Sequence, residues 1–132
     1  YFKQDYMKNA IFLIFLLLNL NIYSQEKKCS DYKVGKFTYT NPLYKNWKVL
    51  RNEIEQIETD KVNKIELRAS INWVSDCEYI LTYTKFNDSE NHSIVGQKIN
   101  VKIIKVGNES VICESEGLGA KLELEMVLEK EK

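Results

Sequence analysis

Nineteen basic and nineteen acidic residues leave the 132-residue chain with no formal net charge. The charges alternate along the sequence without forming a block, and this excludes the basic stripe that marks nucleic-acid binding and the polybasic segment that would hold a membrane surface. The length suits one domain with one core.

Residues 7–24 have the pattern of a secretory signal peptide. Lys8 supplies the positive start, residues 10–18 form the apolar run, and Ser24 is the small residue before the expected cleavage point. The apolar run is shorter than the roughly 20 residues of a membrane span. We therefore expect a periplasmic or secreted protein with no stable span after cleavage; a retained anchor is the alternative.

The rest of the chain is expected to form one folded unit. The predicted divisions are an upstream extension at 1–6, the signal peptide at 7–24, a flexible lead at 25–33 and a single β domain at 34–132.

Apolar residues recur with a period of two from Val34 onward, which indicates strands with one buried face. Residues 35–39 form the first run. Trp47 to Arg51 and Gln56 to Thr59 are best explained as two short strands, although one helical turn is the alternative there. The clearest run has inward positions at Ile65, Leu67, Ala69, Ile71 and Trp73.

The second half continues this pattern. A turn at Ser75-Asp76 leads into a strand from 77 to 84, so the two runs form a hairpin. A polar loop over 86–93 precedes a strand over 94–106, a short strand over 111–114 and a final alternating run over 118–128.

Eight short strands joined mostly by tight turns predict an antiparallel up-and-down meander. An open meander exposes two edges, so we predict closure into a small, lipocalin-like barrel. Eight strands enclose an interior that side chains nearly fill or that holds one small ligand. A two-sheet β-sandwich is the alternative.

The three cysteines allow at most one disulfide, and an exported chain permits it. In a meander, alternate strands start at the same end. Cys29 precedes the first strand and Cys77 begins the fifth, so both lie at one end and are predicted to pair. Cys113 is left as a buried thiol. With no CxxC spacing and one histidine, a zinc site is not expected.

The segment from Trp73 to Leu81 follows the pattern W-x-x-D-C-x-Y-x-L. In this segment and in several shorter runs, the chain resembles a group of small exported proteins of flavobacterium-like bacteria, some of which carry the label DNA topoisomerase IV. That activity does not suit a short, exported chain without a basic surface. The resemblance implies a family of unassigned function and transfers no catalytic residue.

Six polar and aromatic residues are candidates for a ligand site. An Arg and a Gln on inward positions could orient a carboxylate or amide, and aromatic side chains could line an apolar pocket, although such aromatics are more often simply core. The candidates are Arg51, Gln56, Glu58, Trp73, Tyr79 and Tyr83.

We expect a non-enzymatic exported barrel that binds a small amphipathic ligand or a partner protein of the envelope. No local signature of a nucleophilic triad is present, and neither a cofactor nor a metal is predicted. One alternative is a small carbohydrate-active hydrolase that uses Glu53, Glu55 and Glu58. A structural module of the envelope is another.

Overall fold

Eight strands account for most of the described chain, which comprises residues 25–88 and 92–131 of this computed structural model. The signal peptide and upstream extension predicted at 1–24 lie outside the described residues. The strands are β1 (Gly35–Tyr39), β2 (Trp47–Arg51), β3 (Glu55–Asp60), β4 (Ile65–Ser75), β5 (Glu78–Phe86), β6 (Lys98–Val106), β7 (Ser110–Gly117) and β8 (Ala120–Leu128).

Every strand pairs antiparallel with its neighbour in sequence, and β1 also pairs with β8. Phe37 illustrates the closure, because it lies opposite Val49 on one side and Leu128 on the other. Among the eight described strands, no edge therefore remains that could pair with another chain and aggregate. The predicted eight-stranded up-and-down barrel is confirmed, and the sandwich alternative is not what the chain forms.

Along each strand, successive side chains point alternately into the barrel and out to solvent. Directly opposed residues share a face, so the inward sets of adjacent strands form continuous layers. The buried apolar core includes Phe37, Val49, Ala69, Tyr79, Leu81, Val101, Ile103, Val111, Cys113 and Met126.

Residues 47–60 form two strands rather than a helical turn, as the sequence predicts. Several boundaries differ from the predicted ones. The short strand expected at 111–114 spans Ser110–Gly117. The strand expected from Ile94 begins at Lys98, because Ile94 belongs to a short 3-10 helix, His92–Ile94. Leu118 lies in the β7–β8 turn rather than in the last strand.

One end of the barrel is closed by the N-terminal 3-10 helix, Cys29–Tyr32. The predicted disulfide between Cys29 and Cys77 is present and fixes this helix beside the start of β5. Tyr32 is fully buried and donates a hydrogen bond from its hydroxyl to the carbonyl of Gly107, 2.8 Å away. The segment expected as a flexible lead thus contains a packed helix. We call this end the closed end.

The opposite end, which we call the open end, carries four connections. They are the β1–β2 loop (40–46, with the 3-10 helix Pro42–Tyr44), the β3–β4 turn (61–64), the β5–β6 loop (87–97) and the two-residue β7–β8 turn (118–119). Within the described residues, no helix packs across this end as Cys29–Tyr32 does at the other.

Candidate functional site

A cavity of about 350 Å³ occupies the half of the barrel nearer the open end. Tyr44 and Leu118 lie at its mouth, and Tyr79 and Met126 lie among its deeper residues. The volume is at the lower limit of small-molecule pockets. Most of its wall is apolar, formed by Leu67, Leu81, Ile99, Val101, Leu122, Leu124 and Met126 together with Tyr39, Tyr44, Trp47, Tyr79 and Tyr83.

Small inward side chains on β7 and β8 create part of this space. Ser115, Gly117 and Ala120 all line the cavity. A Cβ atom at Gly117 would lie 2.6 Å from the carbonyl oxygen of Lys98, so glycine permits the close approach of β6. The interior of an eight-stranded barrel is narrow enough for side chains to fill it. Bulky residues at these three positions would therefore remove the cavity.

Arg51 lies beneath the cavity and does not line it. Its side chain is 1% exposed. Its Nε donates to Gln56 Oε1 at 2.8 Å, Nη1 to the carbonyl of Tyr32 at 3.1 Å, and Nη2 to the hydroxyl of Tyr79 at 2.8 Å. The guanidinium also stacks between the rings of Phe37 and Tyr79, at 4.8 Å from each centroid. Nη2 also contacts Met126 Sδ at 3.8 Å, so three oxygens, one sulfur and two ring faces satisfy a buried cation.

Gln56 carries this network from Arg51 to the cavity wall. Its Oε1 accepts from Arg51, which fixes the orientation of the amide, and its Nε2 donates to Glu58 Oε1 at 2.6 Å. The two residues stand two positions apart on β3 and therefore point to the same face. The amide thus links Arg51 to the Glu58 carboxylate by hydrogen bonds, and the Arg51 charge also acts on that carboxylate through space.

Glu58 is the one carboxylate among the described residues that line the cavity, and no Lys or Arg side chain joins it there. Removal from water raises the pKa of Glu58, although the Gln56 hydrogen bond and the Arg51 charge oppose the rise. The cavity wall is thus apolar and aromatic, with a single acidic group whose ionisation the surroundings disfavour.

Three phenols surround this carboxylate. Burial, with a contribution from the Glu58 charge, raises the pKa values of Tyr39 and Tyr79 and raises the pKa of Tyr83 to about 12. Burial also raises the pKa of the Cys113 thiol to about 11. All four groups therefore stay protonated at neutral pH, and the thiol has little nucleophilic thiolate.

The structure brings four of the six predicted site residues together at the cavity: Gln56, Glu58, Tyr79 and Tyr83. Arg51 contacts two of them from below. Trp73 lies outside the lining, with its ring 4.6 Å from that of Tyr79 and under Lys33 Nζ at 4.9 Å. The indole Nε1 of Trp73 is buried and has no hydrogen-bond partner among the described residues.

The carboxylates of the hydrolase alternative do not share a face. Glu58 points into the cavity, whereas Glu53 is exposed in the β2–β3 connection at the closed end. Glu55 is three positions from Glu58 on β3 and faces outward, where its carboxylate lies 3.5 Å from Arg68 Nη1. The three do not converge on one point, as paired acid–base catalysis would need.

Sequence analysis missed several lining residues. Tyr39 reaches the cavity from β1 and Tyr44 from the β1–β2 loop, and Ser115 and Leu124 reach it from β7 and β8. Trp47 on β2, an aromatic residue that the alternation places inward, also lines the cavity. Their inward positions follow from the alternation, but the level at which the barrel stays hollow depends on how all eight strands are staggered.

A larger groove of about 1,080 Å³ runs over the outside of the closed end, where Lys27 on one side and Glu131 on the other are among its lining residues. Charged side chains such as Lys36, Glu55, Glu109 and Glu129 line it. Its lining carries more charged side chains than that of the interior cavity, whose wall is mostly apolar and aromatic, so the interior cavity is the better candidate.

No helix in residues 25–88 and 92–131 has the length and apolar character needed to cross a membrane. In the same residues, His, Cys, Asp and Glu side chains form no group of three or more that could hold a metal ion. No family model, curated protein or solved structure matches the chain.

Proposed function

We propose that this chain is an exported, non-enzymatic barrel that holds one small amphipathic molecule in its interior. The observation that carries the proposal is the cavity of about 350 Å³, walled by apolar and aromatic side chains and reached from the open end. Pockets of this kind bind the apolar body of a ligand, and a few polar groups fix its orientation.

Glu58 supports a ligand whose polar end donates hydrogen bonds, an amine above all. The carboxylate has an acceptor oxygen beyond the one that Gln56 occupies, and the phenol-rich wall provides ring faces that attract a cation. Arg51 is engaged with Gln56, Tyr32 and Tyr79, so an acidic ligand would meet no free cation in the wall.

Export is supported by the sequence of residues 7–24 and by the disulfide, since disulfides persist in oxidising compartments such as the periplasm. Protein recovered from cells should begin at or near Gln25. Recovery of a chain that still carries Met7 from the cytosol would contradict export.

Binding is tested with the neutral fluorescent probe N-phenyl-1-naphthylamine and two competitors of equal chain length, octylamine and octanoate. We expect fluorescence enhancement that saturates at one site and is displaced more strongly by octylamine. In Glu58→Gln the preference for the amine should disappear.

A filled cavity provides the structural control. Ser115→Phe places a ring in the cavity and should weaken probe binding at least about tenfold. Glu116→Phe adds the same ring one position along β7, on the outer face, and should leave binding unchanged. Absence of probe binding in a folded wild-type protein, or equal binding by both variants, would refute the proposal.

A further inference from the structure

Each of the four connections at the open end presents one exposed aliphatic side chain to solvent. Leu43 is 84% exposed, Val62 72%, Leu118 55% and Val95 45%. Because they lie on four different loops, they surround the mouth of the barrel rather than one side of it. Single exposed aliphatic side chains are common on protein surfaces. One on every loop of the same end instead indicates a surface that contacts a partner.

A lysine follows or flanks each of these side chains within three positions. The pairs along the chain are Leu43 with Lys45, Val62 with Lys61 and Lys64, Val95 with Lys98, and Leu118 with Lys121. All five lysines are exposed. Only Lys121 takes part in an ion pair within the described residues, at 3.0 Å from Glu114.

The carboxylates near these lysines neutralise them only in part. Asp60, at the start of the β3–β4 turn, is buried and accepts two hydrogen bonds from Asn63, at 3.0 Å to its backbone nitrogen and 2.7 Å to its side chain. It therefore does not pair with Lys61 or Lys64. The other described carboxylates near this end are Glu66, Asp88, Glu114, Glu116 and Glu123. Among them, Glu66 pairs with Arg68 and Glu114 with Lys121.

The closed end also carries exposed aliphatic residues, beside charges of both signs. Val34 is 51% exposed and stands between Lys33 and Lys36, whereas the tip of the β2–β3 connection is acidic. Ile54 is 73% exposed and stands between Glu53 and Glu55. Lys33 and Lys130, also at this end, are paired with Asp76 and Glu109. Within the described residues, an exposed aliphatic side chain with a lysine nearby on every connection is thus a property of the open end, where four of the five lysines have no ion pair.

From this arrangement we propose that the open end docks on an anionic lipid surface. The aliphatic tips enter the interfacial region while the lysines meet the lipid phosphates, and each lysine near such a surface adds to the attraction. This proposal depends on the loop residues and does not require a ligand in the cavity. Docking in this orientation would place the mouth of the cavity against the lipids.

Lipid binding is tested by flotation with vesicles of phosphatidylcholine alone and with one quarter phosphatidylglycerol. The protein is residues 25–132, which contain all eight strands, their core and the disulfide, and which leave out the apolar run of residues 10–18. We expect binding to the anionic vesicles that weakens as salt screens the charges, and little binding to phosphatidylcholine.

Matched variants locate the surface. Lys61→Glu with Lys64→Glu should weaken anionic-vesicle binding at least about tenfold. Lys27→Glu with Lys36→Glu makes the same charge change at the closed end and should alter binding less than about twofold. Val62→Ser should weaken binding three- to tenfold, roughly, through lost apolar contact, and Ile54→Ser should not. Thermal unfolding checks that every variant is folded.

Four outcomes would overturn the inference. These are no flotation of the wild-type protein with anionic vesicles, equal flotation with both vesicle types, equal losses in the open-end and closed-end variants, and binding of a DNA duplex without binding of vesicles. The last would assign the lysines to a nucleic-acid partner instead.

Discussion

Arg51 is the residue on which the floor of the cavity depends. Its guanidinium joins β2 to the Tyr32 carbonyl of the N-terminal helix, to Gln56 on β3 and to Tyr79 on β5. Removing one partner of a buried charged network leaves the others without hydrogen bonds, and this costs more than the network contributes as a whole.

Arg51→Ala should therefore lower the free energy of unfolding by about 3–5 kcal/mol. Lys48→Ala, on the same strand, removes an exposed ion pair with Glu129 and should cost less than about 1 kcal/mol. Urea unfolding followed by circular dichroism measures both. Similar losses in the two variants would mean that the Arg51 network contributes little.

Glu58 makes stability depend on pH in a predictable direction. Burial raises its pKa in the folded protein, so folding favours the protonated form. The stabilisation from this group is complete below the ordinary glutamate value of about 4.3 and is lost as pH rises through the folded pKa.

Glu58→Gln keeps the acceptor for Gln56 but cannot ionise. The variant should match the wild type near pH 4 and exceed its unfolding free energy at pH 7. Glu55→Gln makes the same substitution on the outer face of β3 and is the matched control. Unfolding curves at both pH values decide the matter, and a Glu58→Gln protein that is less stable at pH 7 would contradict the sign.

At the scale of elements, the sequence predicts the strands well because each buries one face. Alternation in residues 65–73 and 118–128 fixes which side chains point inward, and short turns fix the antiparallel order. The pairings have three register shifts, two between β4 and β5 and one between β6 and β7, and the one on β6 is instructive. Ile103 pairs with Cys113 and Lys105 with Ile112, so Ile104 is the extra residue of a bulge, and adjacent isoleucines hide it in the sequence.

The N-terminal helix could not be predicted from its own residues. Its four residues, Cys-Ser-Asp-Tyr, are too few and too polar to show a periodic pattern. The helix forms because Tyr32 enters the barrel end and the disulfide holds Cys29 beside β5. Only the disulfide could be predicted from the sequence, because alternate strands of a meander start at the same end of the barrel.

The disulfide closes a loop over a sequence separation of 48 residues. On the chain-entropy model, this stabilises the fold by about 4 kcal/mol. Cys29→Ser with Cys77→Ser should lower the unfolding free energy by up to that amount and expose Tyr32 at the closed end. Denaturant titration of the oxidised, reduced and substituted proteins measures the effect. Reduction that leaves the unfolding midpoint unchanged would show that the helix stays docked without the bond.

At the scale of the whole molecule, the two barrel ends differ in a way that the linear sequence hides. Lysines 45, 61, 64, 98 and 121 are far apart in the chain and alternate with acidic residues, so the sequence indicates no basic surface. Closure of the barrel gathers them at one end, because every second connection of a meander lies there. Likewise, the cavity follows from the stagger of all eight strands, which no local pattern specifies.

The β7–β8 turn has a leucine in a backbone conformation that lowers the stability of the fold, at the position where it is exposed at the open end. Leu118 has φ 54° and Gly119 has φ 75°, the left-handed conformations of a two-residue hairpin turn. Such turns favour Asn-Gly, and a leucine in this conformation is strained. Leu118 nevertheless occupies the position, lines the cavity mouth and stays 55% exposed. A strained residue that gains little burial is better explained by contact with a partner than by folding.

Leu118→Asn should therefore raise the unfolding free energy by about 0.5–1 kcal/mol while weakening flotation with anionic vesicles. The gain arises because asparagine adopts the left-handed conformation more readily than leucine, and the loss arises because an apolar tip leaves the open end. Thermal and urea unfolding measure the first effect and vesicle flotation the second. A variant that is less stable than the wild type would show that Leu118 serves the fold, whereas a more stable variant with undiminished vesicle binding would remove this residue from the docking surface.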